Sequence, residues 1–236
     1  ENYGIKIKDS SIDFNSIINR SRGVADGMSK GVNFLMKKNK IDILNGFGKI
    51  ISKNEVEVTG DDKKKNIHKT DNIIIATGGR SRELPNIKVD GKKIIEYRKA
   101  MTLEKQPKKM VVIGSGAIGS EFAYFYNSIG TDVTLVEYLP NILPLEDIDV
   151  SKQLEKSFKK AGVNIMTSTE VLSVDTKGKG CKVKFKSNEK EDVIDCDVVL
   201  SAVGVLTNVD NIGLEELGII VAVSYTHLTL PTKQMV

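Results

Sequence analysis

Apolar residues in the first part of the chain recur at a helical spacing and then give way to short strand-like runs. Over residues 11–38 the spacing is about 3.6 residues, at Ile17, Val24, Met28, Val32, Leu35 and Met36. Between residues 41 and 76 the runs IDIL, GKII, EVEV and NIIIA are separated by turns rich in Asn, Gly and Asp. We predict a helix, then an antiparallel β-meander and one buried strand.

The second half of the chain alternates apolar runs with amphipathic segments. Residues 110–113, 132–136 and 163–166 are predicted strands separated by two helices, and such a β-α-β-α-β order requires parallel strands with crossover helices. An antiparallel excursion follows at VLSVDT, CKVKFKS and DVIDC, and the apolar run DVVLSAVG is typical of a strand covered on both faces. The second helix is predicted to end at Gly162 and to bury Ile148, Leu154, Phe158 and Ala161. The pattern predicts an α/β fold with a doubly wound parallel sheet.

Composition and charge exclude several classes of partner. The chain has 236 residues, 40% of them hydrophobic, enough for the core of one large or two modest domains. Its net charge of +4 comes from 35 basic and 31 acidic residues, with no basic block that would follow a nucleic acid backbone. The densest basic run, residues 63–65, is expected to be a solvated hairpin tip. No stretch approaches about 18 uninterrupted apolar residues, so we expect neither nucleic acid nor a membrane as partner.

The start of the chain and its cysteines bear on location. The first ten residues, ENYGIKIKDS, show no basic-then-apolar signal peptide and no initiating Met. Cys181 and Cys196 stand fifteen residues apart, too few and too distant in sequence for a disulfide framework or a metal site, and nothing in the sequence places them adjacent. We expect a soluble protein of a reducing compartment, the cytoplasm or an organelle matrix, with both cysteines as ordinary strand residues.

A glycine-rich turn, GSGAIG, follows the first parallel strand. Gly114, Gly116 and Gly119 stand where a dinucleotide fold needs a tight turn, a close approach to a pyrophosphate and a helix–sheet contact. The helix behind this turn aims its unpaired N–H groups at any anion in the loop. Its predicted apolar stripe is Ile118, Phe122, Phe125 and Ile129.

An acidic residue completes the dinucleotide pattern. The strand over residues 132–136 delivers Glu137, twenty-three positions after Gly114, where a carboxylate accepts hydrogen bonds from ribose hydroxyls. A carboxylate there repels a 2′-phosphate, and the following YLPN offers no arginine to bind one. The motif predicts a Rossmann-like domain that binds NAD rather than NADP.

Other candidates carry weaker signals. The run IIIATGG, residues 73–79, would let backbone amides approach a ligand, but it also fits a simple strand-end turn. The GFG run, residues 46–48, fits a hairpin turn better than a binding loop. His68 and His227 have no serine or carboxylate motif beside them, so we expect both at the surface and neither in catalysis.

Four longer segments resemble one family: NIIIATGGRSRELPNI, VVIGSGAIGSEFAYFYNSIGTDVTLVE, LPNILPLEDIDVSKQLEKSFKKAGV and CDVVLSAVGVLTNVDNIGLEELGI. Over residues 1 to about 221 they resemble the dihydrolipoamide dehydrogenases, a group of pyridine nucleotide-disulfide oxidoreductases. The resemblance implies an enzyme in which a reactive disulfide, FAD and NAD stand in line. Implied partners are dihydrolipoamide on a lipoyl carrier domain, a 2-oxo acid dehydrogenase complex and a second copy in a parent homodimer.

The resemblance also implies cofactor contacts. NAD contacts are implied for Gly114, Ser115, Gly116, Ala117, Ile118, Gly119, Ser120, Glu121, Glu137, Val171 and Gly204. FAD contacts are implied for Gly48, Thr77, Gly78 and Gly79. Glu121 is implied to pair with a lysine near the flavin, although the residues alone suggest only an exposed carboxylate favoured by the helix dipole. No catalytic residue and no metal ligand is expected in this chain.

The sequence departs from the family pattern at several places. A first GxGxxG for FAD, a Cys-x4-Cys redox pair and a C-terminal His-Glu pair are not found in it. We expect a central piece, inactive alone: a partial FAD-binding domain over 1–104, an NAD-binding domain over 105–206, a return segment over 207–222 and a non-family tail over 223–236. Val205 and Thr207 stand where the family commonly has Arg and Pro. Another flavoprotein disulfide reductase, an NADH oxidase or a noncatalytic NAD-binding module therefore remain alternatives.

Overall fold

The computed structural model describes residues 9–221 and the backbone of residues 228–229. Its helices are α1 (Phe14–Lys38), α2 (Tyr97–Ala100), α3 (Ala117–Ser128) and α4 (Ile148–Ala161), with a 3-10 turn at Glu215–Leu217. Its strands are β1 (Phe47–Ser52), β2 (Glu55–Thr59), β3 (Lys65–Lys69), β4 (Gly79–Ser81), β5 (Ile94–Ile95), β6 (Lys109–Ile113), β7 (Asp132–Val136), β8 (Asn164–Met166), β9 (Thr169–Asp175), β10 (Cys181–Ser187), β11 (Lys190–Cys196), β12 (Val198–Ser201), β13 (Val205–Thr207), β14 (Ile220–Val221) and β15 (Leu228–Thr229).

The chain forms two compact units. The first contains the described residues up to 25 together with residues 81–204, and the second contains residues 26–80 together with the chain from residue 205 onward. These boundaries separate groups of residues that contact one another. The predicted boundaries at 104, 206 and 222 instead separate segments by the cofactor that each is expected to bind, and that division stays a prediction. Most of the predicted tail, with His227, lies outside the described residues.

A five-stranded parallel sheet forms the centre of the first unit, with strand order β5-β12-β6-β7-β8. Alternate residues of β6 face opposite sides, because successive strand side chains point in opposite directions. Met110 and Val112 pack into a core with Tyr126 of α3 and Phe158 of α4. The predicted α/β class, a parallel sheet combined with antiparallel strands, is confirmed.

The other face of the parallel sheet is covered by antiparallel strands. Strands β9, β10 and β11 form a three-stranded sheet of order β11-β10-β9, as the sequence predicts. Val183 of β10 packs with Val111 and Val199 of the parallel sheet, and all three side chains are at most 1% exposed. Both faces of β6 and β12 are therefore covered, which explains why these strands are almost entirely apolar.

The predicted helix faces are partly wrong. On α3 the fully buried aromatic residue is Tyr126, outside the predicted stripe, and its hydroxyl donates a 2.6 Å hydrogen bond to the Ala100 carbonyl. On α4 Phe158 is buried as predicted, whereas Ile148 is 44% exposed and the face instead includes buried Ser151. Ser151 is accommodated because its hydroxyl donates to the Leu143 carbonyl. Apolar periodicity alone does not predict buried polar residues of this kind, whose side chains are hydrogen-bonded within the protein.

The first helix is confirmed and begins three residues later than predicted. Asp13 precedes α1 and accepts hydrogen bonds from the backbone N–H and the hydroxyl of Ser16, which fixes the start. The apolar residues Val24, Met28, Val32 and Leu35 are all more than half exposed. Within the described part of the chain, no helix is long and apolar enough to cross a membrane.

An antiparallel meander of β1, β2 and β3 dominates the second unit; β1 and β2 contain the predicted runs GKII and EVEV, and β3 was not among the predicted runs. Residues 61–64 form the turn between β2 and β3, and Lys63 and Lys64 are exposed there, so the expected solvated hairpin tip is confirmed. A small core forms around Ile50, Ile212 and Leu214. His68 lies half-buried on β3.

Two predicted strands of this unit are wrong. The IDIL run forms no strand, and Ile41, Ile43 and Leu44 are each more than half exposed. Residues 73–76 form no strand either, and Ile74 is 90% exposed. The reason is that no strand among the described residues pairs with this segment, and β structure depends on its neighbours.

The expectation that the two cysteines stand apart is also wrong. Cys181 begins β10 and Cys196 ends β11, and the antiparallel register places them directly opposite each other. Both are free thiols and both are buried. The turn at residues 188–189 brings them together, an effect of strand register that separation along the sequence does not show.

Candidate dinucleotide-binding site

The glycine turn sits at the carboxyl end of β6, where parallel strands of a sheet present their ligand sites. Gly114 has φ +94°, and its N–H donates a 2.8 Å hydrogen bond to the Val136 carbonyl of the neighbouring strand. A Cβ atom on Gly114 would stand 2.5 Å from the Ala202 carbonyl oxygen. A glycine is required here for two reasons: the positive φ of the backbone and the close approach of the Ala202 carbonyl.

The second and third glycines differ in the space around them. A Cβ atom on Gly119 would be held well inside van der Waals contact with the Gly114 carbonyl oxygen, so α3 packs directly against the turn. A Cβ atom on Gly116 would meet nothing within 4 Å. Space therefore exists beside Gly116 for a ligand to approach the backbone.

The N-terminus of α3 is favourable to an anion. Gly116 occupies the N-cap position without any side-chain cap, and the first turn contains no acidic residue. The first N–H groups of a helix have no partner within the helix, and the helix dipole adds partial positive charge there. Ala117 begins the helix, and both it and Gly116 are exposed. A diphosphate is the ligand chemistry that such an end binds.

Glu137 points into the glycine turn. Its Oε2 atom accepts hydrogen bonds from the Ser115 N–H at 2.8 Å and the Ser115 hydroxyl at 2.6 Å, while Oε1 accepts from the Leu139 N–H at 2.9 Å. The residue is 7% exposed. A carboxylate offers about four acceptor positions. One position remains after these three bonds, so Glu137 can accept from a further hydroxyl.

Ser115 and Ser120 hold the turn in shape. Both are buried, and the Ser120 hydroxyl donates a 2.9 Å hydrogen bond to the Ser115 carbonyl. The Leu143 N–H donates to the same carbonyl at 3.1 Å. The polar groups beneath the turn are thus satisfied from within the protein, and the helix N–H groups are left for a ligand.

Two further predicted NAD residues, Gly204 and Val171, lie outside the glycine turn. Gly204 follows β12 with φ +109° and is exposed, two residues after Ala202, which touches the glycine turn. Val171 lies on β9 with its side chain buried in the core, so only its backbone would be offered to a ligand. Strand β9 adjoins the site, since the N–H of its first residue, Thr169, donates a hydrogen bond to the Glu137 carbonyl.

Ile118 and Glu121 lie on α3 beyond the cap. Ile118 is half-buried, whereas Glu121 is exposed and forms no salt bridge within the described residues. The implied pairing of Glu121 with a lysine is therefore not seen in the part of the chain described here. The residue-based expectation of an exposed carboxylate matches its position.

The predicted FAD residues lie in the second unit, where Gly48 and Thr77 line one cavity of about 360 Å³. Gly78 has φ +70° and an open space beside its Cα, and Gly79 begins β4. A Cβ atom on Gly79 would come within 3.1 Å of the Leu206 carbonyl oxygen. These glycines let the 77–79 segment pack closely against β13 and leave its outer side clear.

Sequence reasoning missed three polar residues that line the same cavity. Arg80 forms a 2.6 Å salt bridge with Asp210 and donates to the Asn208 side chain at 3.1 Å. Asn208 in turn donates through its N–H to the Gly78 carbonyl and through its amide to the Thr77 carbonyl. The polar run TNVDN contains Asn208 and Asp210 and was the available signal for these two, because strand ends collect ligand-binding side chains.

Comparisons with known proteins point to one family. The profile of the family described as pyridine nucleotide-disulphide oxidoreductase matches residues 4–227. The chain is 39% identical to a dihydrolipoyl dehydrogenase of Zymomonas mobilis, over 93% of this chain and 47% of that protein. It is 41% identical to a dihydrolipoyl dehydrogenase of Rhizobium etli, over 93% of this chain and 49% of that protein.

A solved structure shows the same fold. The crystal structure of LpdA from Mycobacterium tuberculosis superposes with a TM-score of 0.82 at 27% identity, covering 91% of this chain and 48% of that one. The chain thus spans about half the length of the relatives it matches. It belongs to the family of pyridine nucleotide-disulphide oxidoreductases.

Proposed function

We propose that this chain supplies the NAD-binding region and part of the FAD-binding region of a dihydrolipoamide dehydrogenase, an enzyme that oxidises dihydrolipoamide with NAD+. The observation that carries the proposal is the Glu137 carboxylate directed into a glycine turn beside an uncapped helix N-terminus. The names of the relatives support the substrate, and the motif geometry supports the nucleotide.

The residues of the turn would bind and orient the nucleotide. The N–H groups at the start of α3 would hold the diphosphate, and Gly116 leaves the space that this approach needs. The remaining acceptor position of Glu137 would take a ribose hydroxyl, and its negative charge would repel a 2′-phosphate. When bound, NAD+ supplies the hydride acceptor and FAD the intermediate electron carrier. The protein's own contribution is position and electrostatics.

In the second unit, the cavity that Gly48 and Thr77 line would receive part of FAD. Open backbone at Gly78 and hydrogen-bonding side chains at Arg80, Asn208 and Asp210 fit a polar, hydroxyl-bearing portion of such a cofactor.

The partners we propose for the whole protein are dihydrolipoamide on a lipoyl carrier domain, a 2-oxo acid dehydrogenase complex and a second identical subunit. A cytoplasmic location is proposed from two cysteines that are free and buried.

Titration calorimetry with NADH and NADPH tests the nucleotide assignment. We expect NADH to bind at least about tenfold more tightly, since a buried carboxylate facing a 2′-phosphate costs more than about 1.4 kcal/mol. NADPH binding as tight as NADH binding would overturn the role of Glu137.

The chain alone is expected not to reduce NAD+ with dihydrolipoamide, and a measured turnover would contradict the proposal that the redox cysteines of the enzyme lie elsewhere.

A further inference from the structure

The cysteine pair, Cys181 and Cys196, has the geometry of a cross-strand dithiol. The two residues are directly opposed in the register of β10 and β11. Directly opposed residues of antiparallel strands have Cα atoms about 4.5–5.5 Å apart, which lies within the roughly 4.4–6.8 Å that a disulfide needs. The Cys181 thiol is positioned at the start of β10, with its sulfur 3.8 Å from each of the carbonyl oxygens of Lys93 and Asp197, to which it can donate. Joining the two sulfurs therefore requires little backbone movement.

A cavity gives small molecules a route to the pair. Cys181 is 1% exposed and Cys196 is 5% exposed, yet both line a cavity of about 430 Å³ whose walls include Lys109, Lys179 and Asp195. A water molecule occupies about 30 Å³, so a peroxide fits readily. Strand β11 is also an edge strand of its sheet, where local opening is easier.

The surroundings make the two sulfurs unequal. Hydrogen bonding with Cys196 lowers the pKa of Cys181, burial opposes that shift and the Lys93 ammonium adds to it, while Asp90 and Asp197 act against it. Hydrogen bonding with Cys181, together with burial, raises the pKa of Cys196. The Lys93 ammonium lies beside Cys181, because it donates a 3.4 Å hydrogen bond to the Gly180 carbonyl, and it favours the nucleophilic thiolate there; we therefore take Cys181 as the attacking sulfur and Cys196 as the resolving one.

We propose that the cysteine pair is a peroxide-oxidisable site that forms an intrachain disulfide between β10 and β11. The Cys181 thiolate attacks one oxygen of hydrogen peroxide, breaking the O–O bond and giving a sulfenic acid and hydroxide. Cys196 then attacks the sulfenic sulfur, and the sulfenic oxygen leaves as water with the Cys196 proton. The two thiols are oxidised by two electrons in total, and the peroxide is reduced to two waters once the hydroxide takes the proton released by Cys181.

The chain is well suited to a direct test because it contains two cysteines in all. The 236-residue chain is treated with hydrogen peroxide in native buffer and in urea, quenched, alkylated and digested with trypsin. Lysines at 182 and 190 separate the cysteines, so a disulfide joins two peptides that are otherwise distinct. We expect the joined peptide, reversible by dithiothreitol, to form at least about tenfold faster in native buffer than in urea, because the fold holds the two cysteines opposite each other.

Single variants separate the two sulfurs. Cys196→Ser should accumulate a sulfenic acid on Cys181 that a dione probe traps, whereas Cys181→Ser should react at least about tenfold more slowly with peroxide. Equal rates in native buffer and urea, joined peptides from two different chains, or thiols that stay fully alkylatable after peroxide would each overturn the proposal. None of these outcomes bears on NADH binding, so the dinucleotide assignment is tested separately.

Discussion

At the residue scale, alanine substitutions at two glycines of the turn are expected to affect stability and NADH binding differently. Gly116→Ala adds a methyl group where nothing lies within 4 Å, so the free energy of unfolding should fall by no more than about 1 kcal/mol, the preference of an N-cap for glycine over alanine. NADH binding should nevertheless fall by tenfold or more, since the methyl group occupies the space needed by the diphosphate. Urea unfolding and calorimetry measure the two effects.

Gly119→Ala is the matched contrast. Its Cβ atom would overlap the Gly114 carbonyl oxygen, so the free energy of unfolding should fall by about 1–3 kcal/mol or more, along with NADH binding. If Gly119→Ala were as stable as wild type, or Gly116→Ala as unstable as Gly119→Ala, the roles assigned to the two glycines would be wrong.

Replacement of Glu137 tests whether its carboxylate makes the protein prefer NADH to NADPH. Glu137→Gln keeps the shape but removes the charge, so NADH affinity should fall by about tenfold, corresponding to about 1.4 kcal/mol for a hydrogen bond to a charged group. The preference for NADH over NADPH should narrow at the same time, because the repulsion is removed. Asp132→Asn, the same chemical change at the exposed opposite end of β7, should leave both affinities unchanged. An unchanged preference in Glu137→Gln would exclude the carboxylate as the selecting group.

The close backbone packing at Gly114 and Gly119 and the position of Glu137 were readable from the sequence because they follow from spacing after a buried strand. The bond between Ser115 and Glu137 was not, since a serine between two glycines fits any turn. Cys181 and Cys196 were misjudged for a related reason: sequence separation does not reveal which residues a register places opposite each other.

At the element scale, the turn that precedes β5 depends on one carboxylate. Asp90 accepts hydrogen bonds from the N–H groups of Lys92, Lys93 and Ile94. Burial acts to raise the pKa of Asp90, but these three bonds and the Lys93 charge outweigh it and hold the pKa below the ordinary value.

A depressed pKa in the folded state has a defined sign for stability. Asp90 contributes stability above the pKa it has in the unfolded chain, about 3.9, and that contribution is lost as the pH falls through its lower folded value. Asp90→Asn should therefore be less stable than wild type at pH 7, and the difference should shrink in acid below about pH 4. Urea unfolding at several pH values measures it. A difference that is constant with pH would show that the charge of Asp90 contributes nothing.

Helix α1 carries glycines that cost helix stability. Gly27 lies in its interior, and a Cβ atom there would meet nothing within 4 Å. Gly27→Ala should stabilise this chain by up to about 1 kcal/mol, because alanine has the higher helix propensity. Circular dichroism during thermal unfolding reports the shift. A destabilised variant would mean that the helix face formed by Gly23, Gly27 and Gly31, which recur at four-residue spacing, packs against something in solution.

The elements themselves were largely predictable, since α1, β6, β7, α4 and the β9–β11 excursion all follow apolar periodicity. The failures are the strands expected at residues 41–44 and 72–76. Their apolar runs have the composition of buried strands, but strand formation needs a neighbour to pair with, and periodicity carries no information about neighbours.

At the scale of the whole molecule, exposed apolar side chains favour self-association. Met28 is 70% exposed, Phe34 64% and Ile74 90%, and large exposed apolar surfaces mark association or aggregation. We expect the isolated chain to associate as its concentration rises, and light scattering would detect this. Ile74→Lys and Met28→Lys should reduce the association, whereas Lys30→Ala should not. A monodisperse monomer at high concentration would contradict the expectation.

The order of strands in the parallel sheet has a consequence for biosynthesis. Strand β12 is the last of the five to be made, yet it sits between β5 and β6, with Val199 beside Ile94 from more than a hundred positions earlier. While the ribosome is still translating the antiparallel excursion, β6 can pair with β7 but presents a bare apolar edge on its other side. Nascent chains are then open to wrong pairing, and a chaperone that shields this edge until residue 201 emerges from the exit tunnel would raise the yield of correctly folded protein.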